Sequence, residues 1–252
     1  MLRALFVLLA CAPLSLQAAN TPRHSHTASL MPTGNMLIVG GIGAGGVPLA
    51  TAEIRLTARD GTAVDATSMG VGNERSSHTA TVLSNGRILV AGGWGGGAVV
   101  QATAQVYDPS ANSWSATIPV VTGRFNHTAT LLDNGLVLIC GGQTVTGVPA
   151  VTPNCETFNP VSNTFSATGA MQQGRAGHTA TLLKNGRVWI AGGWNPAVSP
   201  NYLFTTERYD STLGTFNSAA PLAQGRAFHT ATMGDDGKVL VVGGLNSDNS
   251  TV

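Results

Sequence analysis

The sequence is poor in charge, in lysine and in long apolar runs. Charged residues make up 10% of the 252 residues, against roughly 25% in a typical soluble domain. Only Lys184 and Lys238 represent lysine, and the net charge is +1. Phosphate binding needs clustered cations, and no basic run is present, so nucleic acid is excluded as an expected partner. No stretch of 18 apolar residues occurs, which excludes a spanning helix of ordinary length. Helical periodicity is also missing. Glycine is plentiful instead, at 32 residues, and hydrophobic residues reach 43%. That combination excludes a disordered chain and points to many short strands joined by tight turns.

The N-terminus differs from the rest. Arg3 precedes the apolar segment "ALFVLLACAPL", and "LQA" ends at Ala18. A positive end, a short apolar core and a small residue for cleavage read as a secretory signal peptide over 1–18, leaving 19–252 as the mature chain. The expected location is secreted or periplasmic. Lipid attachment at Cys11 is disfavoured, because it would leave an apolar core of only about six or seven residues. Without the signal, two cysteines remain, Cys140 and Cys155.

A repeat dominates the mature chain. His26, His78, His127, His178 and His229 are spaced by 52, 49, 51 and 51 residues, and the pairs Gly40-Gly41, Gly92-Gly93, Gly141-Gly142, Gly192-Gly193 and Gly243-Gly244 keep the same spacings. A period near 50 residues signals a repeat architecture. Units start near residues 23, 75, 124, 175 and 226. Each opens with a small, β-branched strand such as "HTATLL". An Asn-Gly or Asp-Gly pair comes next, which suits a two-residue hairpin turn. The second strand is a continuous apolar run ("RILVA", "LVLIC", "RVWIA") that stops at the Gly pair. A loop of ten to twelve residues leads to a third strand ("TAQVYD", "NCETFN", "TERYD"), and an aromatic opens the fourth. Trp114, Phe165 and Phe216 each lie seven residues after Tyr107, Phe158 and Tyr209. Four antiparallel strands per repeat fit an all-β propeller with one sheet per blade.

The Gly pair after an apolar strand, with a Tyr and a Trp at fixed spacing, resembles the kelch repeat. The resemblance spans residues 23–252. It implies a kelch-type β-propeller, similar to the central domain of galactose oxidase and to secreted bacterial kelch proteins. Blade 1 departs from the pattern, with Arg55 where Tyr107 stands in blade 2 and no aromatic after it. The count is four complete four-stranded blades plus a half blade. Kelch propellers usually have six or seven, so the expectation is a C-terminally incomplete part of a larger ring, monomeric once complete.

A feature present five times is expected to be structural. The five His are assigned to hydrogen bonds with backbone near the start of each first strand, and no metal is expected at their ring, because neighbouring sheets lie roughly 10 Å apart. The repeated Arg75, Arg124, Arg175 and Arg226 have Glu53, Glu156 and Glu207 of the third strands as candidate partners, with Gln105 breaking the series in blade 2. Some adaptor-type kelch proteins bind acidic peptides through such arginines, and that resemblance keeps Arg75, Arg124 and Arg175 among the binding candidates. The variable loops after the Gly pairs carry Trp94, Trp194, Tyr202 and Phe204, which either contact a partner or pack over neighbouring blades.

No nucleophile elbow, phosphate loop, HExxH motif or sialidase box appears. A galactose-oxidase-like copper site needs a Tyr-His pair and a Cys beside a Tyr, and neither is present. No cofactor is expected. Cys140 and Cys155 occupy small positions on adjacent strands of blade 3, close enough for a disulfide, though two small buried thiols fit as well. Two functions fit these residues. One is a secreted, non-catalytic module that binds protein or carbohydrate through its loop face. The other is the propeller portion of a secreted oxidase or carbohydrate-active enzyme whose catalytic residues lie elsewhere. The sequons at Asn126 and Asn249 matter only in a eukaryotic secretory pathway.

Overall fold

The computed structural model describes residues 22–56, 63–146 and 150–246. Residues 1–18, expected to be a signal peptide, with Cys11, and the sequon at Asn249 lie outside the described residues. Apart from one 3-10 turn at Ala44–Gly46, every described regular element is a strand. Blade 1 is β1 (Thr27–Leu30), β2 (Met36–Val39), β3 (Ala52–Arg55) and β4 (Ala63–Asp65). Blade 2 holds β5 (Thr79–Val82) and β6 (Ile88–Ala91), then a small hairpin of β7 (Trp94–Gly96) and β8 (Val99–Val100). It continues with β9 (Thr103–Asp108) and a fourth strand split into β10 (Ser113–Trp114) and β11 (Ile118–Pro119). Blade 3 is β12 (Thr128–Leu131), β13 (Val137–Cys140), β14 (Cys155–Asn159) and β15 (Thr164–Ala167). Blade 4 is β16 (Thr179–Leu182), β17 (Val188–Ala191), β18 (Thr206–Asp210) and β19 (Thr215–Ala219). Blade 5 contributes β20 (Thr230–Met233) and β21 (Val239–Val242).

Within each blade the strands pair antiparallel in chain order, except that in blade 2 β6 pairs directly with β9 and the β7–β8 hairpin forms a small sheet of its own. The first strands of successive blades, β1, β5, β12, β16 and β20, lie against one another, so they are the innermost. Small side chains are needed where sheets converge, which is why Thr and Ala repeat there. The Ser115 hydroxyl donates to the Ala116 carbonyl and accepts from Val106 N–H at 3.0 Å, which interrupts the ladder where β10 and β11 separate.

The cores lie between blades. Leu37 and Val39 of blade 1 pack on Ile88, Val90 and Tyr107 of blade 2. Leu89 and Val106 meet Val137, Ile139 and Phe158, and Leu138 and Cys140 meet Val188, Ile190 and Tyr209. Register explains the aromatics: Tyr107 pairs with Ile88, Phe158 with Val137 and Tyr209 with Val188. Each also sits opposite its fourth-strand aromatic, at ring separations of 5.0, 4.9 and 4.9 Å. The seven-residue spacing is therefore a cross-strand aromatic pair.

Cys140 and Cys155 are register partners on β13 and β14, with Cα atoms 4.3 Å apart, and they form a disulfide. It closes a short loop, which in the chain-entropy account is worth about 3 kcal/mol. Cys155→Ser is expected to lower the urea unfolding free energy by about 2–3 kcal/mol. Reductant should shift the parent's midpoint to the same value and leave the variant unmoved.

Candidate functional site

The hairpin turns at Asn85-Gly86, Asn134-Gly135 and Asn185-Gly186 occupy one end of the blades. The loops after the Gly pairs and the Arg-x-x-His segments occupy the other. At this second end the repeated residues form seams. The Nε2 of His78 lies 2.9 Å from Thr27 Oγ1 of the preceding blade. His127 reaches Thr79, His178 reaches Thr128 and His229 reaches Thr179, each at 2.9 Å. The partner of Nε2 is thus a threonine hydroxyl one blade back, which the sequence did not point to, while the Arg75, Arg124 and Arg175 carbonyls lie beside the same rings. The "His-Thr" dipeptide supplies both halves of the link, the His facing backward and the Thr forward.

Burial keeps these rings neutral. It pushes His78 down to about 3, with the Arg75 and His26 charges acting in the same direction. His229 is pushed to about 4 by burial and by Arg226. His127 and His178 are driven far below the usual histidine range by burial, then by Arg124 and Arg175 respectively. The carbonyl three residues back favours the protonated form of His78, but Nδ1 lacks a full hydrogen bond to it. A neutral ring with Nε2 on a hydroxyl is a good tie and a poor ligand for a distant ion.

The arginines are also consumed by the fold. Arg75, Arg124 and Arg175 are at most 2% exposed. Their Nη1 atoms donate to the carbonyls of Gly92, Gly141 and Gly192 at 3.0, 2.6 and 2.7 Å, and to the third-strand carbonyls of Thr103, Asn154 and Thr205. Arg175 pairs with Glu207 at 2.8 Å and Arg124 with Glu156 at 3.1 Å, while Arg23 pairs with Glu53. In blade 2, Gln105 replaces the acid; Arg75 makes the same bond to Thr103 Oγ1 that Arg175 makes to Thr205 Oγ1, and its Nη2 turns to Asn73 Oδ1 where the carboxylate would be. Burial lowers Arg75 to about 10, opposed only in part by the Glu74 charge. Arg75, Arg124 and Arg175 are therefore not presented to an acidic peptide, because their donors are spent before any partner arrives.

The variable loops hold the remaining candidates. Trp94 starts the β7–β8 hairpin, bridges Ser76 through backbone and donates its indole N–H to Gly97 O at 3.0 Å. Trp194 bridges both Ala176 and Tyr202 through backbone, which brings those two aromatics together in blade 4. Trp94 lies two blades away and does not join them. Phe204 is 44% exposed. It lines a cleft of about 470 Å³ with Gln172, Gln173, Thr205 and Ser218, above the buried Arg175–Glu207 pair. Gln172 is fixed there by its N–H to Glu207 at 2.8 Å and by Ser218 Oγ donating to its Oε1 at 2.9 Å.

Phe228 was not among the sequence candidates. It occupies the slot filled by Ser25, Ser77, Asn126 and Gly177, all of which share a left-handed backbone; its own φ is 57°. These five form a chain of backbone bonds around the inner strands, from Ser77 N to Ser25 O and onward to Phe228 N on Gly177 O at 2.7 Å. A bulky residue with φ > 0 is uncommon. Its ring, 53% exposed, lies over Gly177, where a Cβ would come within 2.8 Å of it. The signal was visible as one aromatic in a column of small turn residues. Gln172, Gln173 and Ser218 gave no such signal.

Among the described residues, no three His, Cys, Asp or Glu side chains lie close enough together to hold a metal ion, and no helix is long and apolar enough to cross a membrane.

Comparison with known proteins agrees with the radial order of the sheets. The family model for the kelch motif matches residues 75–116. The solved structure titled "Structure of YjhT" is similar over 93% of this chain and 80% of that one, with a TM-score of 0.71 and 17% sequence identity. No curated protein sequence matches. Together the sheets and these matches define a β-propeller. The segment that matches the kelch motif is blade 2, and the other blades repeat its strand order.

Proposed function

We propose that the chain is a secreted or periplasmic, non-catalytic binding module. It holds a protein or carbohydrate partner at the loop end of blade 4, where Phe204 lines a cleft and Trp194 and Tyr202 are bridged in the same loop. One observation carries this reading. The repeated ionisable groups are hydrogen-bonded inside the fold, while Phe204, which departs from the repeat, and the linker amides Gln172 and Gln173 put aromatic and amide surface around a cleft above Arg175 and Glu207. Phe204 offers a flat apolar face, and Gln173 and Ser218 offer neutral hydrogen-bonding groups beside it. Such a mixture suits neutral polyhydroxylated or peptide ligands better than strongly charged ones. The disulfide in blade 3 supports an oxidising compartment.

The test is a binding screen against immobilised polysaccharides and peptides, followed by Phe204→Ala. A truncated interface aromatic typically costs 1–2 kcal/mol, so affinity should fall roughly 5- to 30-fold. The melting temperature should stay within about 2 °C of the parent, because Phe204 is half exposed. A ligand that binds equally well to Phe204→Ala and Trp194→Ala would move the site elsewhere.

A further inference from the structure

The hairpin end of the blades, opposite the Phe204 cleft, carries two clefts at homologous places. Each forms where the first hairpin of one blade meets both hairpins of the next. The cleft between blades 2 and 3 measures about 340 Å³, and the one between blades 3 and 4 about 720 Å³. Their walls correspond residue for residue, so each is a control for the other. The turn scaffolds match. Asn159 Oδ1 accepts the N–H groups of Val161 and Ser162, and Asp210 Oδ1 accepts those of Thr212 and Leu213. Asn134 Oδ1 accepts from Leu136 N–H, and Asn185 Oδ1 from Arg187 N–H.

The side chains on that scaffold do not match. Leu136, Pro160 and Val161 of the smaller cleft correspond to Arg187, Ser211 and Thr212 of the larger. Asp133 stands for Ser84, and Asp210 for Asn159. Each apolar side chain of the wall has given way to a hydrogen-bonding one. The cover differs too. Arg87 of blade 2 reaches across the first seam and donates to Pro160 O at 3.2 Å. Its counterpart in blade 3 is Leu136, which has no donor for the Ser211 carbonyl.

The polar groups of the larger cleft are fixed but only partly used among the described residues. Arg187 donates from Nε and Nη2 to Asp210 Oδ2 at 3.3 and 3.2 Å, which leaves Nη1 open. Asn134 and Asn185 spend their oxygens on the turns and keep their Nδ2 donors. Asp133 lies over the next turn, with Oδ2 3.0 Å from where a Cβ on Gly186 would stand. Lys184, beside Asn185, is engaged by the Asp235 carbonyl of blade 5. The open donors are thus a guanidinium and two amides, and the open acceptor is the Asp133 carboxylate. An anionic ligand brings acceptors alone and would face Asp133. A cationic ligand brings donors alone and would face Arg187. A hydroxyl both donates and accepts. A peptide backbone does so as well, but peptide sites also take side-chain anchors in apolar pockets, which this wall lacks.

We propose that the hairpin-end cleft between blades 3 and 4 is a second binding site, for a neutral polyhydroxylated ligand, an oligosaccharide. Asp133 accepts from one hydroxyl while Arg187 and the Asn185 amide donate to its neighbours. The site lies at the opposite end of the blades from Phe204 and does not depend on that cleft.

The test is calorimetric titration of the 252-residue chain with neutral hexasaccharides of α-linked glucose, β-linked glucose, xylose and mannose. A galacturonic acid hexamer, a glucosamine hexamer and a pool of octapeptides are the competing probes. Asp133→Ser and Thr212→Val copy the smaller cleft, and Leu136→Arg copies Arg87, so the fold already accommodates each residue at the homologous place. At least one neutral hexasaccharide should bind. Asp133→Ser should weaken it at least about tenfold and Thr212→Val about threefold. Both variants should melt within about 2 °C of the parent. Leu136→Arg should weaken binding by covering the cleft, and Phe204→Ala should leave it unchanged. The proposal is overturned if no neutral hexasaccharide binds, if only the charged hexamers or the peptides bind, or if binding survives Asp133→Ser and Leu136→Arg. A neutral hexasaccharide weakened by Phe204→Ala alone also overturns it, while favouring the loop-end cleft.

Discussion

Acidification from pH 7 to pH 4 is expected to unfold the protein in one steep transition. The cause is the set of buried neutral rings at the seams. His78 is held down to about 3 and His229 to about 4, and His127 and His178 lie far below the usual range. An unfolded histidine titrates near 6.5. Above that pH neither state binds the proton, and the full stability is present. As pH falls below it, the unfolded chain takes up protons that the native chain refuses, so stability drops. Each ring contributes a loss of about 1.4 kcal/mol per pH unit until its native value is reached. Four together give roughly 5 kcal/mol per unit, comparable with the whole stability of a typical domain, about 5–15 kcal/mol. The midpoint should therefore fall between about pH 4 and pH 5.5, with three to four protons taken up. Urea unfolding at pH 7.0, 6.0 and 5.0 measures the slope directly. His127→Gln should reduce the slope by about one proton, whatever it does to stability at pH 7. A stability that stays flat between pH 7 and pH 5 would show that the rings are not neutral and buried.

The fold was legible because its strongest signals are periodic. The Gly pairs and the His-Thr dipeptides mark strand order, and the seven-residue aromatic spacing marks register. Which blade a side chain reaches was not legible. His78 lies 51 residues from Thr27, and no local pattern distinguishes that hydroxyl from the backbone beside the ring. The arginines were half legible. The recurring acid of the third strand pointed to the Arg124–Glu156 and Arg175–Glu207 pairs, but the carbonyls of Gly92 and Thr103 that converge on Arg75 leave no mark in the sequence. The candidate site was partly legible. Trp194, Tyr202 and Phe204 stand out as departures from the repeat, but Gln172 and Gln173 belong to an ordinary linker. Only the packing of β18 and β19 brings them beside Phe204. Phe228 needed an alignment of the left-handed slot, where side-chain size matters because the backbone is already strained.

Removing the Arg175 charge is expected to cost about 3–5 kcal/mol, far more than neutralising its partner. In Arg175→Met the Glu207 carboxylate stays buried, 2% exposed, with only the Gln172 N–H still donating to it. The variant also strips the donor from the Gly192 carbonyl, held at 2.7 Å, and one of two donors from the Thr205 carbonyl, which keeps the Gly192 N–H at 3.2 Å. The unpaired buried charge and the weakened carbonyl bonding act in the same direction. Glu207→Gln differs, because blade 2 already shows the arrangement. There Gln105 stands in for the acid and donates to Ser115 O at 3.1 Å, while Arg75 keeps its bonds to the Gly92 and Thr103 carbonyls. That substitution should cost about 1–2 kcal/mol, the loss of one charge-assisted bond offset in part by easier burial of a neutral amide. Urea unfolding of both variants and of the double variant gives the coupling. If the arginine acts mainly through Glu207, the double variant should regain at least about 1 kcal/mol over Arg175→Met, since no bare carboxylate remains. If it acts mainly through the two carbonyls, the double variant should be no better than Arg175→Met. The carbonyl contacts recur in all five blades, from Arg23 on Gly40 to Arg226 on Gly243, whereas the acid is replaced in blade 2. The larger share of the loss is therefore assigned to the carbonyls, and the regain should stay below half of the total.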